Sequence, residues 1–108
     1  MSKLLRISPR AHEDIQSIYN YVRKDGEGIA QKQLRHIYSE IENLAQFPEM
    51  GIPLQKFVIR KTSFRLLIVR KVYIVVYNLT ENTVDILRVF RKEQDFITAL
   101  GLGTVDDS

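Results

Sequence analysis

Basic side chains are concentrated in one part of this 108-residue chain, and binding of an anionic partner is the chemistry that they favour. Nine lysines and arginines lie between Lys56 and Lys92, against only Glu81 and Asp85. The first fifty residues, by contrast, carry seven basic and seven acidic side chains. If the basic excess gathers on one surface, it would attract a polyanion or an acidic protein. The alternative is a solvated face whose charges mainly maintain solubility.

Eight lysines and arginines between residues 60 and 92 are the candidates for binding a target or a nucleic acid. They are Arg60, Lys61, Arg65, Arg70, Lys71, Arg88, Arg91 and Lys92. An arginine within an apolar strand indicates either a functional contact or a structural ion pair, because an unpaired guanidinium is costly to bury. Both interpretations stay open for Arg65 and Arg88. The first is contact with a target or an RNA phosphate, and the second is a pair with an acid such as Asp85 or Asp95.

Cationic stabilisation of a phosphorane is the one catalytic role that these arginines suit. The candidates for it are Arg65, Arg88 and Arg91. Metal-free RNA cleavage also needs a general base and a general acid, and no motif marks them. The side chains that would have to serve are Lys71, Tyr73 and Glu93. The catalytic residues therefore stay unidentified, and the chain is either a binding protein, which we favour, or an endoribonuclease.

Other classes of site find no support in the sequence. His12 and His36 fall on separate predicted helices without a third ligand, so we expect surface histidines and no metal. The glycines are scattered and form no phosphate-binding loop, so we expect no cofactor. The chain has no cysteine. It also lacks an apolar leader and any apolar run of about 18 residues, which predicts a cytoplasmic protein with no membrane segment.

The spacing of apolar residues predicts eight elements in the order β-α-α-β-β-β-β-α. They are a strand at 3–7, a helix from Ser8-Pro9 to Asp25-Gly26, a helix at 27–46, strands at 56–60, 63–70, 72–79 and 83–90, and a short helix at 94–100. The fold class is therefore α+β. We expect an N-terminal strand, a two-helix hairpin packed on a mostly antiparallel sheet of four to five strands, and a short C-terminal helix.

The sequence also predicts one hairpin turn and the C-terminal boundary of the domain. The strands at 63–70 and 72–79 would be joined at Arg70-Lys71, an unusual hairpin turn because it has neither asparagine nor glycine. Residues 1–101 would form a single domain, and residues 102–108 a flexible acidic tail.

A series of short motifs occurs in order over about residues 3 to 100. The first are Ser8-Pro9-x-Ala11, Asp14-Ile15, Tyr19-x-Tyr21 and Leu44-Ala45-x-Phe47-Pro48-x-Met50-Gly51. The last are Phe64-Arg65, Tyr73-Ile74-Val75-Val76-Tyr77, and Ile86-x-Arg88-Val89 followed by Arg91 and Gln94-Asp95. In order and spacing they resemble the RelE/ParE superfamily of bacterial type II toxins, which includes plasmid stabilisation proteins.

This resemblance implies a toxin that is neutralised by a cognate antitoxin encoded beside it. RelE-like members of the superfamily cut messenger RNA on the ribosome, whereas ParE-like members poison DNA gyrase. Cutting members commonly carry an arginine directly after the aromatic residue of the central strand, where this chain has Ile74. They also carry a tyrosine or a His-Tyr pair near the C-terminus, where this chain has Phe90-Arg91 and then Phe96-Ile97-Thr98.

These departures favour a ParE-like growth inhibitor that binds DNA gyrase and has no hydrolytic site. The alternative is a RelE-like, ribosome-dependent mRNA endonuclease, or mRNA interferase, that uses Arg65, Arg88 and Arg91. A toxin fold that has lost its toxicity and a plain nucleic-acid-binding domain are further alternatives. The expected partners are the cognate antitoxin and one target, either DNA gyrase or the ribosome with its mRNA. The chain would form a homodimer or a toxin-antitoxin hetero-oligomer.

Overall fold

The computed structural model describes residues 2–103, which form an α+β fold. The strands are β1 (Leu4–Ile7), β2 (Ile52–Pro53), β3 (Arg65–Val69), β4 (Tyr73–Leu79) and β5 (Thr83–Arg91). The α-helices are α1 (Pro9–Val22), α2 (Glu27–Gln46) and α3 (Phe96–Leu100). Short 3₁₀ turns occupy Arg23–Asp25 and Leu54–Lys56. The predicted fold class is confirmed. No helix within the described residues is long and apolar enough to cross a membrane.

The five strands form one sheet in the order β1-β5-β4-β3-β2. Strand β1 is parallel to β5, and the other pairs are antiparallel. The parallel pairing ends at Ile7 and Ile86, and α1 begins two residues after Ile7, so the start of α1 lies close to the second half of β5. A register shift between Val76 and Tyr77 marks an irregularity in the β4–β5 pair.

The two long helices form a hairpin that covers one face of the sheet. Ser8 caps α1 by accepting a hydrogen bond on its Oγ from the Ala11 amide at 3.0 Å, and Pro9 occupies the first helical position. Both helices bury one apolar stripe. The first core joins these stripes to alternate strand residues: Ala11, Ile15, Ile18, Ile37, Ile41, Leu44, Leu67, Val69, Tyr73, Val75, Tyr77, Val84, Ile86 and Val89.

A second, smaller core lies on the opposite face of the sheet. Leu66 and Ile74 belong to it, and they alternate along their strands with residues of the first core, so their side chains point the other way. Its other members come from the loop after β2 and from the C-terminal segment: Leu54, Val58, Phe64, Phe96, Ile97, Leu100 and Leu102. The C-terminal segment therefore covers part of the face that the helical hairpin leaves open.

The edge strand predicted at residues 56–60 was wrong. The strand that pairs with β3 is Ile52–Pro53, and residues 54–56 form a 3₁₀ turn instead. The side chain of Gln55 binds the carbonyl oxygens of Val58 and Arg60 and the amide of Thr62, at 2.8 to 3.3 Å. These bonds satisfy backbone groups that a strand would otherwise pair, and so they stabilise a compact loop.

The packed part of the chain continues past residue 101, where we expected a flexible tail to begin. Leu102 is only 7% exposed. Its carbonyl oxygen accepts a hydrogen bond from the Arg60 amide at 3.1 Å, and that of Gly103 accepts one from the Ile59 amide at 3.2 Å. Burial of the apolar Leu102 side chain accounts for this extension. The rest of the predicted tail, residues 104–108, lies outside the described residues.

Candidate functional site: the basic end of the sheet

The turn between β3 and β4 carries two basic residues in a backbone conformation that L-amino acids disfavour. Arg70 has φ 53° and Lys71 has φ 62°. Two positive φ angles in a two-residue hairpin are typical of a type I′ turn, whose preferred sequence is Asn-Gly. A non-glycine residue in the left-handed region costs about 1 kcal/mol. The predicted hairpin turn is confirmed, and both of its central residues adopt a strained backbone conformation.

The end of β5 lies beside this turn. Arg91 pairs in register with Tyr73, and the Lys92 amide donates a hydrogen bond to the Val72 carbonyl oxygen at 2.8 Å. Tyr73 and Val72 directly follow the turn in sequence, so the pairing brings four of the eight predicted cations to one end of the sheet. We call these residues the basic rim: Arg70, Lys71, Arg91 and Lys92.

Helix α2 extends the positive charge next to the rim. Burial lowers the pKa of His36, and the neighbouring charges of Arg70, Lys32 and Arg35 lower it further. His36 was expected on the surface, but it is half-buried, and its Nε2 atom has no hydrogen-bond partner among residues 2–103. His36 is half-buried because it lies on the side of α2 next to the β3–β4 turn.

Arg91 is held in place by two contacts. Its guanidinium carbon lies 4.1 Å from the ring centroid of Tyr21, and its Nη1 atom lies 2.7 Å from Glu93 Oε1. The ammonium of Lys24 lies 5.1 Å from the centroid of the same ring. Tyr21 therefore has cations near its ring at the end of α1, and it remains 49% exposed.

Arg88 is not part of the basic rim, because it forms an ion pair with Asp14 of α1. Its Nε and Nη2 atoms lie 2.7 and 3.1 Å from the two carboxylate oxygens. The ion-pair interpretation of Arg88 therefore holds, but with a partner that we did not predict. The acids named as partners are engaged elsewhere: Asp85 binds Arg6 at 2.7 Å, and Asp95 caps α3.

One signal in the sequence marks the missed partner. Asp14 follows Ala11 by three positions and precedes Ile18 by four, so it lies on the buried stripe of α1. A carboxylate at such a position needs a cation or several hydrogen-bond donors. The sequence alone does not say which cation, because Arg88 is 74 positions away.

Arg65 stabilises a loop and has no acidic partner among the described residues. Its Nη2 atom donates to the carbonyl oxygens of Gly51 at 2.7 Å and Glu49 at 3.3 Å, and its Nε atom lies 3.4 Å from the Tyr77 hydroxyl. Arg65 begins β3, whereas the basic rim lies where β3 ends. The single basic surface expected from the sequence is therefore divided.

Arg60 and Lys61 are exposed in the loop between β2 and β3. The Arg60 amide binds the C-terminal segment, so this pair lies beside the second core and not at the β3–β4 turn. Within residues 2–103, no group of three or more His, Cys, Asp or Glu side chains is placed to hold a metal ion.

Comparison with known proteins identifies the family of this chain. A sequence model described as the ParE toxin of the type II toxin-antitoxin system parDE matches residues 5–96. The chain belongs to the ParE toxin family. None of the curated proteins compared with it is a significant sequence match.

Two solved structures are similar to this ParE-family toxin. One is a chromosomal ParDE toxin-antitoxin system from P. aeruginosa, with a TM-score of 0.72 and 21% identity, covering 85% of this chain and 98% of that one. The other is the RelBE2 toxin-antitoxin complex from Mycobacterium tuberculosis, with a TM-score of 0.62 and 18% identity, covering 85% of this chain and 100% of that one. At these identities the likeness concerns the fold, which agrees with the predicted superfamily.

The position that carries an arginine in cutting members of the superfamily is apolar and partly covered in this ParE-family toxin. Ile74 pairs in register with Ile68 and Phe90 and packs against the second core. Phe96 of α3 lies close by, with its ring centroid 6.0 Å from that of Phe90. This central position of the sheet therefore contributes packing rather than charge.

Proposed function

We propose that this ParE-family toxin inhibits growth by binding DNA gyrase through the basic rim and that a cognate antitoxin neutralises it. The observation that supports the binding surface is the pair of left-handed residues, Arg70 and Lys71. Asparagine and glycine would form this turn with less strain, but they would remove two positive charges. Strain that persists at an exposed turn is best explained by a contact that needs those charges.

Binding is favoured over catalysis because the candidate acids and bases have unsuitable environments. Tyr73 is 5% exposed, and burial raises its pKa, which disfavours the phenolate that a general base requires. Hydrogen bonds from its own backbone amide and from Arg91 lower the pKa of Glu93, which makes its carboxylate a weaker base. Arg65 and Arg88 already form structural bonds.

The antitoxin partner is supported by the two similar structures, each of which belongs to a toxin-antitoxin system. We propose the same kind of hetero-oligomer for this chain, with a homodimer as the alternative assembly. Gyrase is the target of choice because the family model is that of ParE and because Ile74 occupies the position of the nuclease arginine. The proposed site of action is the cytoplasm.

A supercoiling assay with purified gyrase tests this proposal. The wild-type toxin should inhibit supercoiling and increase the amount of cleaved DNA. The variant Arg70→Asn/Lys71→Gly keeps the turn but removes two charges, and we expect it to be at least tenfold weaker. Lys56→Gln removes an exposed charge outside the rim and should inhibit as the wild type does. The variant Arg60→Gln/Lys61→Gln tests whether the binding surface extends to those predicted residues.

Two results would contradict the proposal. Equal inhibition by the wild type and the Arg70→Asn/Lys71→Gly variant would remove the basic rim from the binding surface. Cleavage of messages within ribosome-bound codons, when the protein is added to a translating extract, would favour the mRNA endonuclease instead. Growth arrest with SOS induction, relieved by co-expression of the adjacent reading frame, tests the toxin and antitoxin roles in cells.

A further inference from the structure

A polar cavity of about 220 Å³ lies between α1 and the second half of β5. It lies beside the Asp14–Arg88 ion pair, along the part of β5 that follows Ile86 and has no pairing with β1. The lining residues that could bind a ligand are Arg10, Asp14, Ser17, Arg88, Arg91 and Gln94. The ion pair alone does not account for the two further arginines, Arg10 and Arg91, and the two neutral polar side chains, Ser17 and Gln94, around this cavity.

Positive charge is in excess at this cavity. Three guanidinium groups line it, against the lining carboxylate of Asp14 and the Glu93 carboxylate that pairs with Arg91 at 2.7 Å, which leaves one positive charge in excess. Both oxygens of the Asp14 carboxylate already accept hydrogen bonds, from Arg88 and from the Val89 amide. Their negative charge is therefore partly compensated before any ligand enters, and the net field in the cavity favours an anion.

Several of the arginine donors remain available. Arg88 uses Nε and Nη2 for Asp14, and its Nη1 atom has no hydrogen-bond partner within the described part of the chain. Arg91 uses only Nη1, for Glu93. Arg10 is 3.8 Å from Asp14, beyond hydrogen-bonding distance, and its side chain is 65% exposed. Each guanidinium can therefore direct N–H groups to the same ligand.

Two neutral side chains complete the set of donors. The Gln94 side-chain oxygen accepts a hydrogen bond from the Arg91 amide at 2.7 Å, which leaves its NH₂ group free to donate. The Ser17 hydroxyl lines the same cavity and forms no hydrogen bond with any residue between 2 and 103. A tetrahedral anion accepts hydrogen bonds from several directions and suits such a set better than a planar carboxylate, for which one arginine suffices.

The size of the cavity limits what it can hold. At about 30 Å³ per molecule, it has room for roughly seven waters. Pockets for drug-sized ligands begin at about 300 Å³. The cavity therefore suits one small anion with its waters, and a nucleoside attached to that anion would have to remain outside.

We propose that this cavity is a binding site for a phosphate group in its dianionic form. The group would be held by the guanidinium groups of Arg10, Arg88 and Arg91, with Gln94 and Ser17 as neutral donors. It would come from inorganic phosphate or from the terminal phosphate of a nucleotide. Arg91 also belongs to the basic rim, so occupation of the cavity would neutralise part of the rim's charge. This inference stands independently of the proposed gyrase target.

Nuclear magnetic resonance of the ¹⁵N-labelled full-length chain tests this site. Inorganic phosphate is titrated at constant ionic strength, with chloride as the balancing anion. We expect saturable shifts of the arginine Nε–H signals and of the Val89 and Gln94 amides, with a Kd of about 1 mM or lower. Adenosine 5′-monophosphate is titrated in parallel. Equal affinity indicates that the phosphate alone is recognised, and tighter binding indicates a nucleotide source; both outcomes support the site.

Arg10→Gln is the decisive variant, because the Arg10 side chain is exposed and its removal should leave the fold intact. We expect it to weaken phosphate binding about tenfold. Lys56→Gln, which removes an exposed charge elsewhere, should bind as the wild type does. Shifts that do not saturate, or that are unchanged in Arg10→Gln, would overturn the proposal. Binding of glutamate as tight as that of phosphate would also overturn it, because the site would then recognise a carboxylate.

Discussion

The carboxylate of Asp14 binds the guanidinium of Arg88 through two hydrogen bonds, of 2.7 and 3.1 Å, and thereby joins α1 to β5. The same carboxylate accepts a third hydrogen bond from the Val89 amide at 2.9 Å. β1 pairs with β5 only as far as Ile86, so this amide faces an edge without a neighbouring strand. Asp14 therefore satisfies a backbone donor that the sheet leaves unpaired, and the arginine compensates its charge.

Removal of this carboxylate should destabilise the fold. The two side chains are only 12% and 20% exposed, so Asp14→Ala leaves a guanidinium and an amide without compensation. We expect a loss of about 2–3 kcal/mol in the free energy of unfolding, measured by urea denaturation. Asp85→Ala, which breaks a pair whose arginine is 61% exposed, is the control and should cost less. A loss within about 0.5 kcal/mol for Asp14→Ala would show that the pair is not structural.

The hydroxyl of Tyr77 should stabilise the connector between α2 and β3. This fully buried group donates to the Pro48 carbonyl oxygen at 2.8 Å and accepts from the Gly51 amide at 3.0 Å. Tyr77→Phe leaves both partners unsatisfied, so we expect a loss of about 1–3 kcal/mol in urea denaturation. Tyr38→Phe, which removes a partly exposed hydroxyl, should change stability by less than about 0.5 kcal/mol.

Gly51, in the same connector, has no room for a side chain. A Cβ atom on Gly51 would lie 2.6 Å from the Tyr77 hydroxyl and would clash with the Leu66 carbonyl oxygen. Gly51→Ala should therefore destabilise the protein by about 1–3 kcal/mol, because backbone and a buried ring would have to move. Gly28→Ala is the control, since no atom lies within 4 Å of a Cβ atom there. A stability loss no larger at Gly51 than at Gly28 would contradict the close packing of the connector.

Replacement of the strained turn should stabilise the protein while it removes the proposed binding charge. Arg70→Asn/Lys71→Gly should raise the free energy of unfolding by about 1–2 kcal/mol, because these residues adopt the left-handed conformation at lower cost. Arg70→Gln/Lys71→Gln removes the same charges but keeps the strain, so its stability should stay near that of the wild type. Equal stabilisation by both variants would mean that charge repulsion, and not backbone strain, is relieved.

His36 should make stability depend on pH. Burial and the nearby cations lower its pKa in the folded chain, so between that value and about 6.5 the unfolded chain binds more protons. Stability should therefore fall as the pH decreases below about 6.5 and level off once the folded pKa has been passed. Urea midpoints at several pH values, together with proton spectra of the imidazoles, measure both quantities. His36→Gln should remove this slope, and His12→Gln should leave it in place.

Local features of the sequence were sufficient to predict much of the fold. The bounds of α1 and α2 were predicted closely. They depend on residues within one or two helical turns of each other, namely the Ser8-Pro9 start, the Gly26 break and the two apolar stripes. The strand β4 was also recognised from its nearly continuous apolar run, and β5 was placed after the turn at Thr80-Glu81-Asn82. The ordered motifs predicted the superfamily, and the match to the ParE model confirms it.

Tertiary structure alone decided which polar groups meet. Arg88 reaches Asp14 because β5 passes beside α1, and no local pattern specifies that contact between residues 74 positions apart. The predicted edge strand failed for a similar reason, since Gln55 and the C-terminal segment bind the backbone that a strand would have used. The sequence determined that eight basic residues lie in one segment; folding decided that four of them form the basic rim, because strand pairing places residues by register and not by sequence distance.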